Sequence, residues 1–107
     1  MINRLVSITE LEAAGRTPED ELDIGSVALI LAAVANPEAR QEPYRRHLKK
    51  LSAEVAAYVS GYHGPVPLSL QHEALVQVIH KRYGYVGTDD CFDDIEAANL
   101  MRVIDQR

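Results

Sequence analysis

A chain of 107 residues with a formal charge of −5 has room for one domain with a modest core. The acidic balance, with a pI near 5.3, argues against nucleic-acid and anionic-membrane binding, because both need a basic surface. The single cysteine, Cys91, excludes an internal disulfide. We therefore expect a soluble cytoplasmic protein, without a signal peptide or a membrane-spanning segment.

Two helix-start signals stand near the N-terminus. Ser7 and Glu10 have the spacing of a capping box, which predicts a short helix that ends near Gly15. Thr17-Pro18 then predicts the start of a second helix, with the threonine as its cap. We divide the single domain into a peripheral segment, residues 1–20, and a main helical region, residues 21–107.

The most apolar part of the sequence runs from Leu22 to Ala35. It is apolar on nearly every face, which is typical of a helix buried in the middle of a bundle. Asn36-Pro37 should end it, because proline cannot continue a helix. The sequence thus predicts a central core helix around which the others pack.

Three further helices follow. The third begins at Pro43, and its apolar stripe starts at Tyr44; the Gly- and Pro-rich stretch 60–67 ends it in a loop. Ser69 should cap the fourth, which ends at Gly84 and buries Leu75, Val76, Val78, Ile79 and Tyr83. The last helix should run from Asp94 to Ile104, with Asp93 or Asp94 as its cap, and bury Ile95, Ala98, Met101 and Ile104. No segment alternates with period two, so we predict an all-α domain of four to five helices.

The C-terminal part of the chain carries a specific pattern. It reads HKRYGYVGTDDCFDDIEAANLMRVIDQR, with a Gly-Tyr-x-Gly turn, an aromatic-Asp-Asp step and a helix Leu-x-Arg-Val-Ile-Asp-x-Arg. This pattern resembles the N-terminal region of the SirB-type transglutaminase-like family. The helices DIGSVALILAAVANPEA and PYRRHLKKLSAEVA are also similar to the opening helices of that family, so the resemblance covers about residues 21–107.

The resemblance implies an all-helical portion that normally leads into a transglutaminase-like core. The sequence ends at Arg107, where the family continues, so we expect a non-catalytic module that acts through protein–protein contact or self-association. A last helix without that core should expose apolar side chains, and exposed apolar patches commonly mark interfaces. The expected interface residues are Leu100, Met101, Val103 and Ile104.

Catalytic and metal-binding alternatives rest on few residues. Cys91 is the only possible thiol nucleophile, but the acidic residues that flank it disfavour the thiolate. An enzyme fragment would need Cys91, or a metal held by the acidic run Asp89–Asp93, together with a complementing chain that supplies a histidine. The four histidines lack metal-ligand spacing. We therefore expect no catalytic residue, no metal and no cofactor.

A basic cluster lies early in the third helix of this acidic chain. Such a cluster is usually a solvated face, but cations near a helix N-terminus oppose the helix dipole, which hints at another use. It makes a small regulatory binder of acidic ligands the remaining alternative. The cluster consists of Arg45, Arg46, Lys49 and Lys50.

Overall fold

The computed structural model describes residues 2–87, 93 and 95–107, and over these residues the chain is all-α, as predicted. Its α-helices are α1 (Ile2–Gly15), α2 (Ile24–Ala35), α3 (Glu42–Val59), α4 (Leu68–Leu75) and α5 (Leu100–Gln106). Short 3-10 helices span Glu19–Glu21 and Ile95–Ala98, and α4 continues as a π-helix over Val76–Arg82. Cys91 and most of the acidic run around it lie outside the described residues, so their predicted roles stay predictions.

The first two helices form an antiparallel pair. Arg4 Nε donates a 3.2 Å hydrogen bond to the carbonyl of Val34, which joins the start of α1 to the end of α2. The predicted capping box at Ser7 is wrong, because α1 begins earlier, at Ile2. Ser7 instead lies within the helix and is buried, since its small side chain lets α1 approach its neighbour closely.

The start of α2 also differs from the prediction. The Thr17 hydroxyl donates back to the carbonyl of Ala13 at 3.0 Å, so it extends the end of α1 and caps nothing. The N-cap is Asp23, whose carboxylate accepts from Ser26 N at 3.3 Å and from Ser26 Oγ at 2.9 Å. The helix ends at Asn36 as expected, since Asn36 is its C-cap.

The core joins α2 to α5. Leu29, Ala32 and Ala33 of α2 pack against Met101, and Tyr44 and Leu48 of α3 close one side of this cluster. Met101 and Ile104 are 1% and 4% exposed. The prediction that these two side chains form an exposed interface is therefore wrong, because the inner side of α2 already covers them.

The other two expected interface residues are less deeply placed. Leu100 and Val103 are half-buried, and Leu100 packs against the core cluster. Their role in an interface stays a prediction. The last helix, α5, therefore packs mainly against α2, and little of the apolar side of α5 remains free to contact another protein.

The opposite side of α2 is open to solvent. Ile24 is 76% exposed and Leu31 is 56% exposed, although Leu29 between them is fully buried. The expectation that this helix is covered on all faces is thus wrong on one side. Its neighbours α1, α3 and α5 occupy the remaining sides and leave an apolar stripe uncovered.

The start and the buried face of the α4 segment differ from those that the sequence predicts. Its N-cap position is Pro67, so Ser69 does not cap it, and beyond Leu75 the helix widens into π geometry. Val78 is fully buried as expected, but Leu75, the last residue of α4, is 51% exposed. Gly84 ends the segment with φ +81°, in the left-handed region that favours glycine, as predicted.

The last helix begins later than predicted. Asn99 caps α5, and its side chain accepts from Arg102 N at 3.3 Å, so neither Asp93 nor Asp94 is the cap. Ile95 belongs to the preceding 3-10 turn and is 87% exposed, because that turn lies off the core. Ala98 is also exposed. Only the second half of the predicted helix therefore contributes to the core.

The molecule is less compact than an average monomeric protein of its mass. Its radius of gyration is 15.7 Å, and its extents are 48 × 33 × 24 Å, whereas a compact domain of this length has a radius of about 13 Å. Its accessible surface is 8005 Å², about 2,000 Å² more than a monomeric protein of 11.9 kDa exposes on average. No helix in the described part of the chain combines the length and the hydropathy needed to cross a bilayer.

Candidate binding groove between α3 and α5

A groove of about 590 Å³ lies where the first half of α3 meets the end of α5. Three of the residues that line it are apolar: Ala39, Pro43 and Ile104. Its remaining lining is polar and mostly cationic: Arg40, Tyr44, Arg46, His47, Lys50, Asp105 and Arg107. A volume of this size is typical of small-ligand sites, and the open side also admits an extended segment.

One wall of the groove is held by Tyr44 and Asp105. The Tyr44 hydroxyl donates to both carboxylate oxygens of Asp105, at 3.0 and 2.9 Å, across 61 residues of sequence. This hydrogen bond raises the pKa of Tyr44, because the neighbouring carboxylate disfavours the phenolate. It ties α3 to α5 and occupies the only side-chain carboxylate among the described residues that line the groove.

The opposite wall is built around His47. Its Nε2 lies 2.6 Å from the Tyr85 hydroxyl, and its ring packs edge-on against Tyr83 at a centroid distance of 5.5 Å. The Arg107 guanidinium lies near Tyr85 and acts to lower the pKa of its hydroxyl. The tautomer of the His47 ring decides which of the two groups donates the hydrogen bond between them.

Both members of this pair are uncharged near neutral pH. Burial is the main cause that lowers the pKa of His47, followed by the cations Arg107 and Lys50. Burial likewise raises the pKa of Tyr85, more than the nearby Arg107 lowers it. A neutral histidine hydrogen-bonded to a neutral tyrosine is a positioned contact, and neither group has the charge of an activated nucleophile.

The turn after the π-helix places Tyr85 against α3. The left-handed Gly84 reverses the chain, and its amide donates to the carbonyl of His80 at 2.9 Å. His80 Nδ1 lies 2.7 Å from the carbonyl oxygen of Tyr85 and donates to it, because a carbonyl only accepts. The position of His47 therefore depends on a glycine and a histidine almost forty residues further along the chain.

The structure divides the predicted basic cluster into two faces. Arg46 and Lys50 line the groove, whereas Arg45 and Lys49 do not. Arg45 is engaged elsewhere: it donates to Gln41 at 2.8 Å and lies 3.9 Å from Glu10 of α1. The predicted patch is therefore not one surface, and only half of it belongs to the groove.

The cations of the groove are largely available. Arg46 lies 3.6 Å from Glu42, in an exposed pair of the kind that contributes little free energy. Arg40 and Lys50 form no ion pair with any residue that the structure describes. Arg107 donates to the carbonyl of Ile104 at 2.8 Å and keeps further donors on the same guanidinium.

No catalytic or metal constellation is found in the described residues. Among the described residues, the side-chain hydrogen bond of His47 goes to the hydroxyl of Tyr85. Within residues 2–87, 93 and 95–107, no group of three or more His, Cys, Asp or Glu side chains is placed to hold a metal ion. The residues of the groove can recognise a ligand by charge and hydrogen bonding.

Most of the residues that line the groove could not be predicted from the sequence. Arg40 lies in a link before α3, and Arg107 follows α5, so neither shares a periodic pattern with the basic cluster. The contacts of Tyr44 and His47 span tens of residues and depend on tertiary packing. One signal was present: a histidine and a tyrosine stand among the cations of α3, on the groove side.

Comparison with known proteins found no significant match. No protein-family model matches it, and no curated protein or solved structure is significantly similar to it.

Proposed function

We propose that this chain is a non-catalytic helical module of the SirB-type transglutaminase-like family that acts through protein–protein contact. The contact is the pairing of α2 with α2 of a second copy. The observation that carries this proposal is the open side of α2, where Ile24 and Leu31 stand largely in solvent. The family part of the proposal rests on the sequence pattern of the C-terminal region alone.

The surface area supports a contact of ordinary size. The chain exposes about 2,000 Å² more than an average monomer of its mass, and a standard interface buries about 800 Å² on each partner. An all-round apolar helix gains most from complete burial, and one side of α2 remains open to solvent. A second protein surface on the open side would complete that burial.

The chemistry of the stripe favours a second copy over an unrelated surface. Ile24, Ala28, Leu31 and Ala35 follow each other at helical spacing, with large and small side chains alternating. In an antiparallel two-fold pair, Ile24 of one copy meets Leu31 of the other, and the two Ala28 residues meet near the axis. The helix carries no charged residue, so two copies of an acidic protein can approach there without local repulsion.

The non-catalytic part of the proposal is supported by the state of the groove residues. The neutral His47–Tyr85 pair contacts no candidate nucleophile among the described residues. The runner-up, an enzyme fragment completed by another chain, has no observation in its favour in the part of the chain that the structure describes.

Sedimentation velocity across a dilution series tests the contact. The wild-type chain should sediment as a dimer that dissociates on dilution, and Leu31→Glu should be monomeric with an unchanged circular dichroism spectrum. Leu75→Glu is the matched control, because Leu75 is exposed to a similar extent on a different helix. A wild-type monomer at every concentration would contradict the proposal, and so would equal disruption by both substitutions.

A further inference from the structure

We infer that the α3–α5 groove is a binding site for a ligand that carries two or more carboxylates, held between Arg46, Lys50 and Arg107. This site lies on a different face from the α2 stripe, and it does not depend on the self-association proposed above.

Charge is the first argument. The whole chain has a formal charge of −5, yet the described residues that line the groove include four side chains that are cationic at neutral pH and one side-chain carboxylate. That carboxylate, Asp105, already accepts two hydrogen bonds from Tyr44. Anions are therefore repelled by most of the surface and attracted to one concave place, which concentrates them there.

The arrangement of the cations is the second argument. Arg46 and Lys50 are one helical turn apart on α3, so their side chains project from neighbouring positions on one face. Arg107 follows α5, and Arg40 belongs to the link before α3, so the four cations come from three separate segments. A ligand with two or more spaced carboxylates can engage more of these cations at once than a ligand with one anionic group.

The apolar part of the lining is the third argument. Ala39, Pro43 and Ile104 also line the groove and offer no hydrogen-bond donor from their side chains. A ligand that fits has a short aliphatic segment between its charged groups. Free polycarboxylates and runs of glutamate and aspartate side chains in a peptide both have this form.

The pKa of His47 should report whether a ligand occupies the groove. The charged and titratable groups around it are Lys50 on α3, Tyr83 and Tyr85 after the π-helix, and Arg107 beyond α5. The two cations help to hold its pKa down, and a bound carboxylate offsets their effect. Ligand binding should therefore raise the pKa of His47, and affinity should increase as the pH falls below neutrality.

Titrations with three probes, followed by NMR of the His47 ring, test the site. The probes are citrate, an acetylated and amidated pentapeptide of alternating Glu and Asp, and the same peptide with Gln and Asn. We expect citrate or the acidic peptide to bind and to raise the pKa of His47, and the neutral peptide to do neither. If citrate binds more tightly, the ligand is a free polycarboxylate. If the acidic peptide binds more tightly, the ligand is an acidic segment of a protein.

Two charge reversals on the same helix separate this site from general electrostatics. Lys50→Glu, inside the groove, should weaken binding about tenfold, whereas Lys49→Glu, outside it, should change affinity much less. Both residues are exposed, so folding should survive, and circular dichroism checks it. Arg40→Glu gives an independent second variant inside the groove.

Three results would overturn the inference. The first is equal weakening by Lys49→Glu and Lys50→Glu, which would indicate a diffuse charge effect. The second is equal binding of the neutral and acidic peptides. The third is the absence of any response of His47 to both carboxylate probes.

Discussion

Leu29 and Leu31 of α2 are two residues apart and chemically identical, yet they occupy opposite environments. Leu29 is fully buried against Met101 of α5, whereas Leu31 is 56% exposed. The first lies on the closed side of the helix, which faces α3 and α5, and the second lies on its open side. The difference teaches that an apolar helix can be central to a core and still leave one face open to solvent.

Truncating the two leucines should give the largest contrast. Leu29→Ala should lower the free energy of unfolding by about 2–5 kcal/mol, because it removes fully buried methyl groups and leaves a cavity. Leu31→Ala should change it by less than about 0.5 kcal/mol in the monomer, since the side chain is already largely hydrated. Urea denaturation followed by circular dichroism, in dilute protein, measures both. Similar losses for the two variants would remove the distinction between the sides.

The comparison can be extended to the N-caps of α2 and α5, the two helices that pack together on the closed side. Asp23 caps α2 and Asn99 caps α5, each by accepting a backbone N–H bond. Asp23→Ala and Asn99→Ala should each cost about 1 kcal/mol of unfolding free energy. Ser69→Ala is the control, because the structure gives Ser69 no capping bond. A loss at Ser69 as large as the other two would show that the caps are misassigned.

The Tyr44–Asp105 bond links two elements of the closed side across the groove. Tyr44→Phe removes the hydroxyl and should lower the unfolding free energy by about 0.5–1.5 kcal/mol. Tyr62→Phe, on the exposed loop after α3, should leave it unchanged. Thermal melts of both variants beside the wild type provide the measurement. An unchanged melt for Tyr44→Phe would mean that the bond contributes nothing to the α3–α5 contact.

Acidification should give the smallest effect, through His47. Its pKa is lower in the folded chain than its ordinary value of 6.5, chiefly because of burial. Such a group stabilises the fold above its unfolded pKa, and that contribution is lost as the pH falls through the folded pKa. The urea midpoint should therefore fall between about pH 7 and pH 5.

The decline should be shallower in His47→Gln than in the wild type. His63→Gln, in the exposed loop, should keep the wild-type slope. Equal slopes for all three proteins would mean that burial of His47 has no energetic consequence.

Local signals predicted the fold class well. The all-α architecture, the end of α2 at Asn36 and the terminal glycine at Gly84 follow from periodicity and from the conformational limits of proline and glycine. The start of each helix was less accessible, because several residues compete to cap it. Thr17 and Ser69 have the right chemistry, but the chain turns at Asp23 and Pro67 instead.

The groove could be predicted only in part. Its cations Arg46 and Lys50 were in the expected cluster, but sequence alone could not separate them from Arg45 and Lys49. The rest of its lining comes from α5 and from the link before α3, and those contacts form only when the helices pack. The exposure of Leu31 was equally hidden, since hydropathy does not tell which side of an apolar helix remains uncovered.

Thiol cross-linking at Ala28 tests the central claim, that the open side of α2 is a contact face between two copies. In a Cys91→Ser background, Ala28→Cys should be joined into a covalent dimer by a short bifunctional thiol reagent, because the two Ala28 positions meet near the two-fold axis. Ser52→Cys, exposed on α3, is the control and should stay monomeric. If Ala28→Cys is cross-linked no faster than Ser52→Cys, the pairing of α2 is contradicted.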